Sequence, residues 1–179
     1  MPRLLPPLVL LALYWGLAQG QPGAPGVRYE PSPAPVVEAM TQLAAVKPGD
    51  VVYDLGCGDG RIVIAAAKLG ARAVCVDIDP LRIADAQENA RGAGVAERIQ
   101  FRTEDLFGVD LKDATVVMLF LSPDFNRTLR PRLQALTPGT RIVSHWHDMG
   151  DWQPKKSMHV SRERRDHPVF LWITGPAER

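Results

Sequence analysis

The 179-residue chain has two cysteines, Cys57 and Cys75, too few for a disulfide scaffold or a cysteine-rich zinc site. It has little charge of either sign to spare. Lys plus Arg is 21 and Asp plus Glu is 20, a net charge of +1. A nucleic-acid binder normally carries a strong basic excess, so no nucleic-acid partner is expected. No apolar run reaches the roughly 20 residues of a membrane-spanning helix. What remains is an ordinary globular composition, 46% apolar and 23% charged, at a length suited to one domain.

The N-terminus reads differently from the rest. Arg3 supplies a short positive start, residues 8–18 are uncharged and mostly apolar, and Ala18-Gln19-Gly20 is a small-x-small cleavage pattern. This is the layout of a secretory signal peptide over residues 1–20, or of an N-terminal anchor if it is not cleaved. Residues 21–27 read as a linker and residues 28–179 as the domain. No charge lies between Arg3 and Arg28, so an anchored form also places the domain outside the cytoplasm. The expected location is exported, periplasmic or anchored by the leader, with membrane contact only if the leader stays. A misassigned start codon would instead leave the protein cytoplasmic.

Beyond Arg28 strand and helix patterns alternate. Val36, Val37, Met40, Leu43 and Ala44 repeat at helical spacing, and 51–55 is a short apolar strand. The pattern continues with a helix over 61–69, a strand over 73–78 and a helix from Pro80 to about residue 91, capped by Asp79. Strands follow at 99–103, 116–121 and 141–146. Between the last two lies a helical stripe of Leu129, Leu133 and Leu136, which Pro131 is expected to kink or restart. Two final strands, 157–161 and 169–174, are joined by a charged turn. The prediction is an α/β, doubly wound, Rossmann-like sheet of seven strands, mostly parallel with one antiparallel strand, and helices on both faces. Ligands in such sheets sit beyond the carboxyl ends of the strands.

The most informative segment follows the first strand, Asp54-Leu55-Gly56-Cys57-Gly58-Asp59-Gly60. Gly56, Gly58 and Gly60 let the backbone turn sharply and approach a ligand, and the next helix offers unpaired N–H groups to an anion. The spacing is G-x-G-x-G rather than the dinucleotide pattern G-x-G-x-x-G, and Asp54 would repel a pyrophosphate. S-adenosylmethionine suits this arrangement, because Asp54 can face its ammonium and the loop N–H groups its carboxylate. Asp77, with Ile78 beside it, ends the second strand, where an acid accepts bidentately from ribose hydroxyls. Glu104-Asp105-Leu106-Phe107 follows the third strand. An acid there can accept from an adenine amino group while Leu106 or Phe107 packs on the ring.

These residues resemble the class I, seven-strand S-adenosylmethionine-dependent methyltransferases over about residues 28–174. A closer similarity is to the lysine methyltransferases of the ATP-synthase c subunit and the adenine nucleotide translocase, and to their bacterial relatives. Tyr29-Glu30-Pro31-Ser32-Pro33 resembles that group's segment over the cofactor, with Glu30 in place of an apolar residue. Leu119-Phe120-Leu121-Ser122-Pro123 resembles the segment after its fourth strand, and Ser144-His145 with Asp148-Met149-Gly150-Asp151-Trp152 its fifth-strand end. The resemblance implies methyl transfer to an amine, a protein lysine or otherwise a small-molecule amine; a monomer is expected. A non-catalytic S-adenosylmethionine-binding module is the third alternative.

Methyl transfer needs alignment above all, and an amine must arrive deprotonated. Candidates for that work are Asp124, His145, His147 and Asp148, with Tyr29 offering a ring face or hydroxyl near the methyl group. No Asn-Pro-Pro-Tyr signature is present. His145 and His147, alternating on a strand, would share a face, but no third ligand has recognisable spacing and no metal is expected. Arg162, Arg164 and Arg165 read as a solvated hairpin turn. Trp146, Trp152 and Trp172 read as core or rim. Cys57 and Cys75 could bridge in an exported protein, but with Cys57 in a loop and Cys75 in mid-strand they are expected to be free thiols.

Overall fold

The computed structural model describes residues 30–175 except Glu163. The leader, the linker and Tyr29 therefore lie outside the described residues. Four helices and seven strands alternate in the order α1 (Ala34–Leu43), β1 (Val51–Leu55), α2 (Arg61–Lys68), β2 (Arg72–Asp77), α3 (Pro80–Gly92), β3 (Ile99–Thr103), β4 (Val116–Leu119), α4 (Pro123–Gln134), β5 (Arg141–His145), β6 (Lys156–Arg162) and β7 (Arg165–Ile173). The strands form one sheet in the order β3-β2-β1-β4-β5-β7-β6. Strands β1 to β5 run parallel, and β7 alone is antiparallel to its two neighbours. Among the described residues no helix is long and apolar enough to cross a membrane.

The layering follows from the two-residue period of a strand. Val52 of β1 and Cys75 of β2 join a core with Val36 and Met40 of α1, Val63 and Ala66 of α2, and Ala86 and Ala90 of α3. Val51, Tyr53 and Leu55 point the other way, into a core with Leu129 and Leu133 of α4 and Trp172 of β7. Five consecutive buried residues in β1 mark a strand covered on both faces. Each face buries its own apolar set, so a one-residue slip of β1 would bring Asp54 into the second core. Such a slip is costly.

Helix starts are set locally. Asp79 caps α3 by accepting from Leu81 N–H at 2.9 Å, and Pro80 opens the helix. Ser122 caps α4 in the same way, accepting from Phe125 N–H at 3.3 Å. Helix α4 runs as one element through Pro131, so the predicted restart does not occur. Pro131 lies in the last turn, so its missing N–H removes one bond, to Arg127 O, and leaves the turns before it intact.

The expectation of free thiols is overturned, because Cys57 and Cys75 form a disulfide with a Cα–Cα separation of 5.3 Å. Two backbone bonds explain the meeting. The N–H groups of Gly56 and Cys57 both donate to Val76 O, at 2.8 and 3.0 Å. The glycine loop thus folds back onto β2 instead of running past it, and carries Cys57 over Cys75.

Candidate functional site

The strand order reverses between β1 and β4, and the carboxyl ends there open the crevice where ligands of such sheets bind. Three glycines make the first wall. Gly56, Gly58 and Gly60 have φ of 81°, 53° and 79°, a region closed to most side chains. A Cβ at Gly60 would lie 2.9 Å from Ala86 Cβ, and one at Gly56 would lie 3.0 Å from Leu121 Cδ2. Glycine therefore serves close packing here as well as the turn. Gly60 is also the N-cap of α2 and provides no side-chain cap; Arg61 N–H donates to Asp59 Oδ1 at 3.3 Å, and the N–H groups after it in the first turn of α2 are the ones that could meet an anion.

Asp54, at the end of β1, is 1% exposed. Its Oδ2 has no hydrogen-bond partner among the described residues. Burial, then the neighbouring charges of Asp77 and Asp59, push its pKa up to about 8. A buried carboxyl with an idle oxygen is costly unless a donor meets it. A ligand ammonium is such a donor, and on this ground the cleft fits S-adenosylmethionine.

Asp77 closes the second side. Its Oδ2 accepts from Gly58 N–H at 2.9 Å and its Oδ1 from Asp79 N–H at 3.0 Å. Each oxygen retains acceptor capacity, so the carboxylate can pin the loop and still meet ribose hydroxyls. Ile78 beside it is 61% exposed, an apolar side chain at the mouth of the cleft. Asp105 is exposed and accepts from Phe107 N–H at 2.9 Å, while Leu106 is half-buried against the second core. The three acids predicted from three successive strands thus lie at neighbouring carboxyl ends of β1, β2 and β3.

A second feature was only partly foreseen. A cavity of about 700 Å³ is lined by Glu30, Pro31 and Pro33 ahead of α1, Arg61 of α2, Phe120 after β4, His145, Trp146 and His147, and Arg162, Arg165 and His167 of the last hairpin. His145 is 1% exposed, and its Nδ1 shares a 2.8 Å hydrogen bond with Ser32 Oγ. Its Nε2 shares a 3.0 Å bond with His167 Nδ1. Phe120 lies 4.1 Å from the His145 ring and Trp146 lies 5.0 Å from that of His167, centroid to centroid. Burial foremost, then His167 and His147, lower the pKa of His145 to about 4. Arg61 ties the wall together, donating to Ser32 O at 2.8 Å and from Nε to Asp59 at 2.9 Å.

The predicted candidates for the amine's proton separate here. His145 lies in the cavity, as does His147, although not by strand alternation. Strand β5 ends at His145, and the chain turns at Trp146 with φ of 74°. Asp124 is not among the lining residues; it sits in the first turn of α4, largely exposed and paired with Arg127. Asp148 is exposed and caps the turn at Gly150 N–H. The sequence reading missed Ser32 and His167, and it took Arg162 and Arg165 for a solvated turn although both line the cavity. Of the tryptophans, Trp172 is core and Trp152 half-buried, but Trp146 stands at the cavity.

Comparison with known proteins gives a consistent result. The family model of the ANTKMT methyltransferase domain matches residues 54–156. A protein-lysine N-methyltransferase of Saccharolobus islandicus is 43% identical over 154 residues, which is 84% of this chain and 96% of that protein. The adenine nucleotide translocase lysine N-methyltransferase of Mus musculus is 38% identical over 130 residues, 72% of this chain but 56% of the mouse protein. A crystal structure described as an RNA methyltransferase from Salinibacter ruber with S-adenosyl-L-homocysteine is 47% identical. It covers 83% of this chain and 98% of its own, with a TM-score of 0.77.

Proposed function

Since the chain belongs to the ANTKMT methyltransferase domain family and is an S-adenosylmethionine-dependent methyltransferase, we propose that its acceptor is a lysine side chain of a protein. When bound, the cofactor supplies a methyl group on a positively charged sulfur. Asp54 would hold its ammonium, and the Gly56–Gly58–Gly60 loop with the start of α2 its carboxylate. Asp77 and Ile78 would hold its ribose and ring edge, and Asp105 and Leu106 its adenine. Tyr29, which the family resemblance assigns to the segment over the cofactor, lies outside the described residues.

The observation that carries the lysine reading is the cavity between Pro31, Phe120 and Trp146. It adjoins the glycine loop through Arg61, the residue that follows Gly60. Aromatic walls suit the four-carbon stem of a lysine and favour its cationic head on approach. A cleft of this kind can align the nitrogen for in-line attack, an effect of about 7–11 kcal/mol in well-oriented reactions. The S. islandicus relative, matched over nearly its full length, supports the same acceptor.

The test is labelling of a cell extract with S-adenosyl-[methyl-3H]methionine and the purified protein. Label in Nε-methyl-lysine after acid hydrolysis of the protein fraction is the expected result. Label confined to RNA, or to small molecules that pass a desalting column, would overturn it. We also propose that the protein works outside the reducing cytoplasm. The leader pattern, with Arg3 ahead of an uncharged apolar stretch, and the disulfide in the glycine loop support that reading. N-terminal sequencing of the fractionated native protein tests it, and an intact Met1 in the cytosolic fraction would refute it.

A further inference from the structure

Lysine at neutral pH is an ammonium with no lone pair, and something must take its proton before it can attack. We propose that His167 is the residue that takes it, through its Nε2, with His145 and Ser32 holding it in the required tautomer. This rests on the lysine reading above.

The geometry is a linear chain of hydrogen bonds. Ser32 Oγ meets His145 Nδ1 at 2.8 Å, and His145 Nε2 meets His167 Nδ1 at 3.0 Å. In one register Ser32 accepts Nδ1–H of His145. His145 Nε2 is then an acceptor, and His167 must donate its own Nδ1–H to it. That leaves His167 Nε2 as a lone pair, and His167 lines the cavity. The second nitrogen of an imidazole is set by the bond its first one makes. In this register two successive bonds set it, whereas the reverse register, with Ser32 donating, would put the hydrogen on His167 Nε2.

The step balances simply. An N–H bond of the ammonium breaks, its electron pair stays on the lysine nitrogen, and the proton joins His167 Nε2. The imidazolium keeps its Nδ1–H bond to His145 and returns the proton to solvent at the cavity mouth. His145, held neutral by burial down to about pH 4, is a poor resting place for the charge, so the charge stays on His167. The charged and titratable groups that line the cavity with His167 are His145 and His147 after β5, Glu30 ahead of α1, Arg61 of α2, which is paired with Asp59, and Arg162 and Arg165 of the hairpin.

The experiment is kcat/KM against pH, from 6 to 10.5, for the wild-type protein and His167→Gln, on the protein fraction that accepts label. A wild-type profile that rises near neutrality and levels off before pH 9 is expected. Without a base the rate follows the free amine and climbs tenfold per unit toward the lysine pKa of about 10.4. His167→Gln should lose roughly 100-fold at pH 7 and recover to within about threefold of wild type by pH 10, with its cofactor affinity intact. A loss equal at every pH, or none, overturns the proposal. So does a wild-type rate that climbs without levelling, a result that does not depend on the variant folding. A wild-type protein that makes no methyl-lysine at any pH would instead refute the lysine reading itself.

Discussion

Replacing Asp54 with asparagine should make the free protein more stable at neutral pH while weakening its hold on S-adenosylmethionine. Asp54 is buried beside Asp77 and Asp59, and burial first, then those charges, hold its pKa near 8. In the unfolded chain it titrates near 3.8. The folded pKa is the higher one, so its contribution to stability is full below pH 4 and is lost as pH rises through 8. Between the two values the unfolded chain releases a proton that the folded one keeps, and stability falls by about 1.4 kcal/mol per pH unit. From pH 5 to pH 7 that is about 3 kcal/mol, or roughly 6–12 °C in Tm for a domain of this size. The asparagine variant has no such slope. Urea unfolding of both proteins at pH 5 and pH 7, without ligand, isolates the term, because every other group cancels in the comparison. With cofactor present the order reverses: the cationic ligand ionises Asp54, so binding at pH 7 releases a proton from the wild-type protein and not from the variant. Calorimetry in two buffers of different ionisation enthalpy reads that proton. Parallel stability differences at the two pH values, or equal proton release, would refute the reasoning.

Other residues give further expectations. Gly60→Ala forces a Cβ to 2.9 Å from Ala86 Cβ at φ of 79°, and should cost more than about 1 kcal/mol in urea unfolding; an unchanged midpoint would contradict the packing described. Asp77→Ala removes the acceptor of Gly58 N–H and Asp79 N–H, about 1.5–3 kcal/mol for a charged acceptor. It should weaken cofactor binding at least tenfold where Arg164→Ala, in the hairpin turn, changes it little. Titration calorimetry of both variants decides between them. Removing the disulfide, which closes a loop across a separation of 18 residues, should cost about 3 kcal/mol. Equal Tm for the oxidised protein and a Cys57→Ala/Cys75→Ala variant would show that the bond is absent or idle.

Much of this molecule is written locally in its chain. Short apolar runs and the 3.6-residue period placed all seven strands and the helices. The glycine run with Asp54 before it, and Asp77 one strand later, marked the cleft at the carboxyl ends of β1 and β2 that we propose holds the cofactor, because such recognition uses backbone conformation and single side chains at strand ends. These are properties of short segments. Other features had no local sign. The disulfide depends on the loop folding back onto Val76 O, and the passage of α4 through Pro131 depends on where the last turn falls. The cavity is the clearest case. Ser32, Phe120, His145 and His167 are contributed by four separate segments, and His167 comes to His145 only because β7 lies antiparallel beside β5, pairing Val169 with His145. A hydrogen bond between residues 113 apart, such as that of Ser32 with His145, is decided by sheet order and register. No run of residues along the chain carries that information by itself.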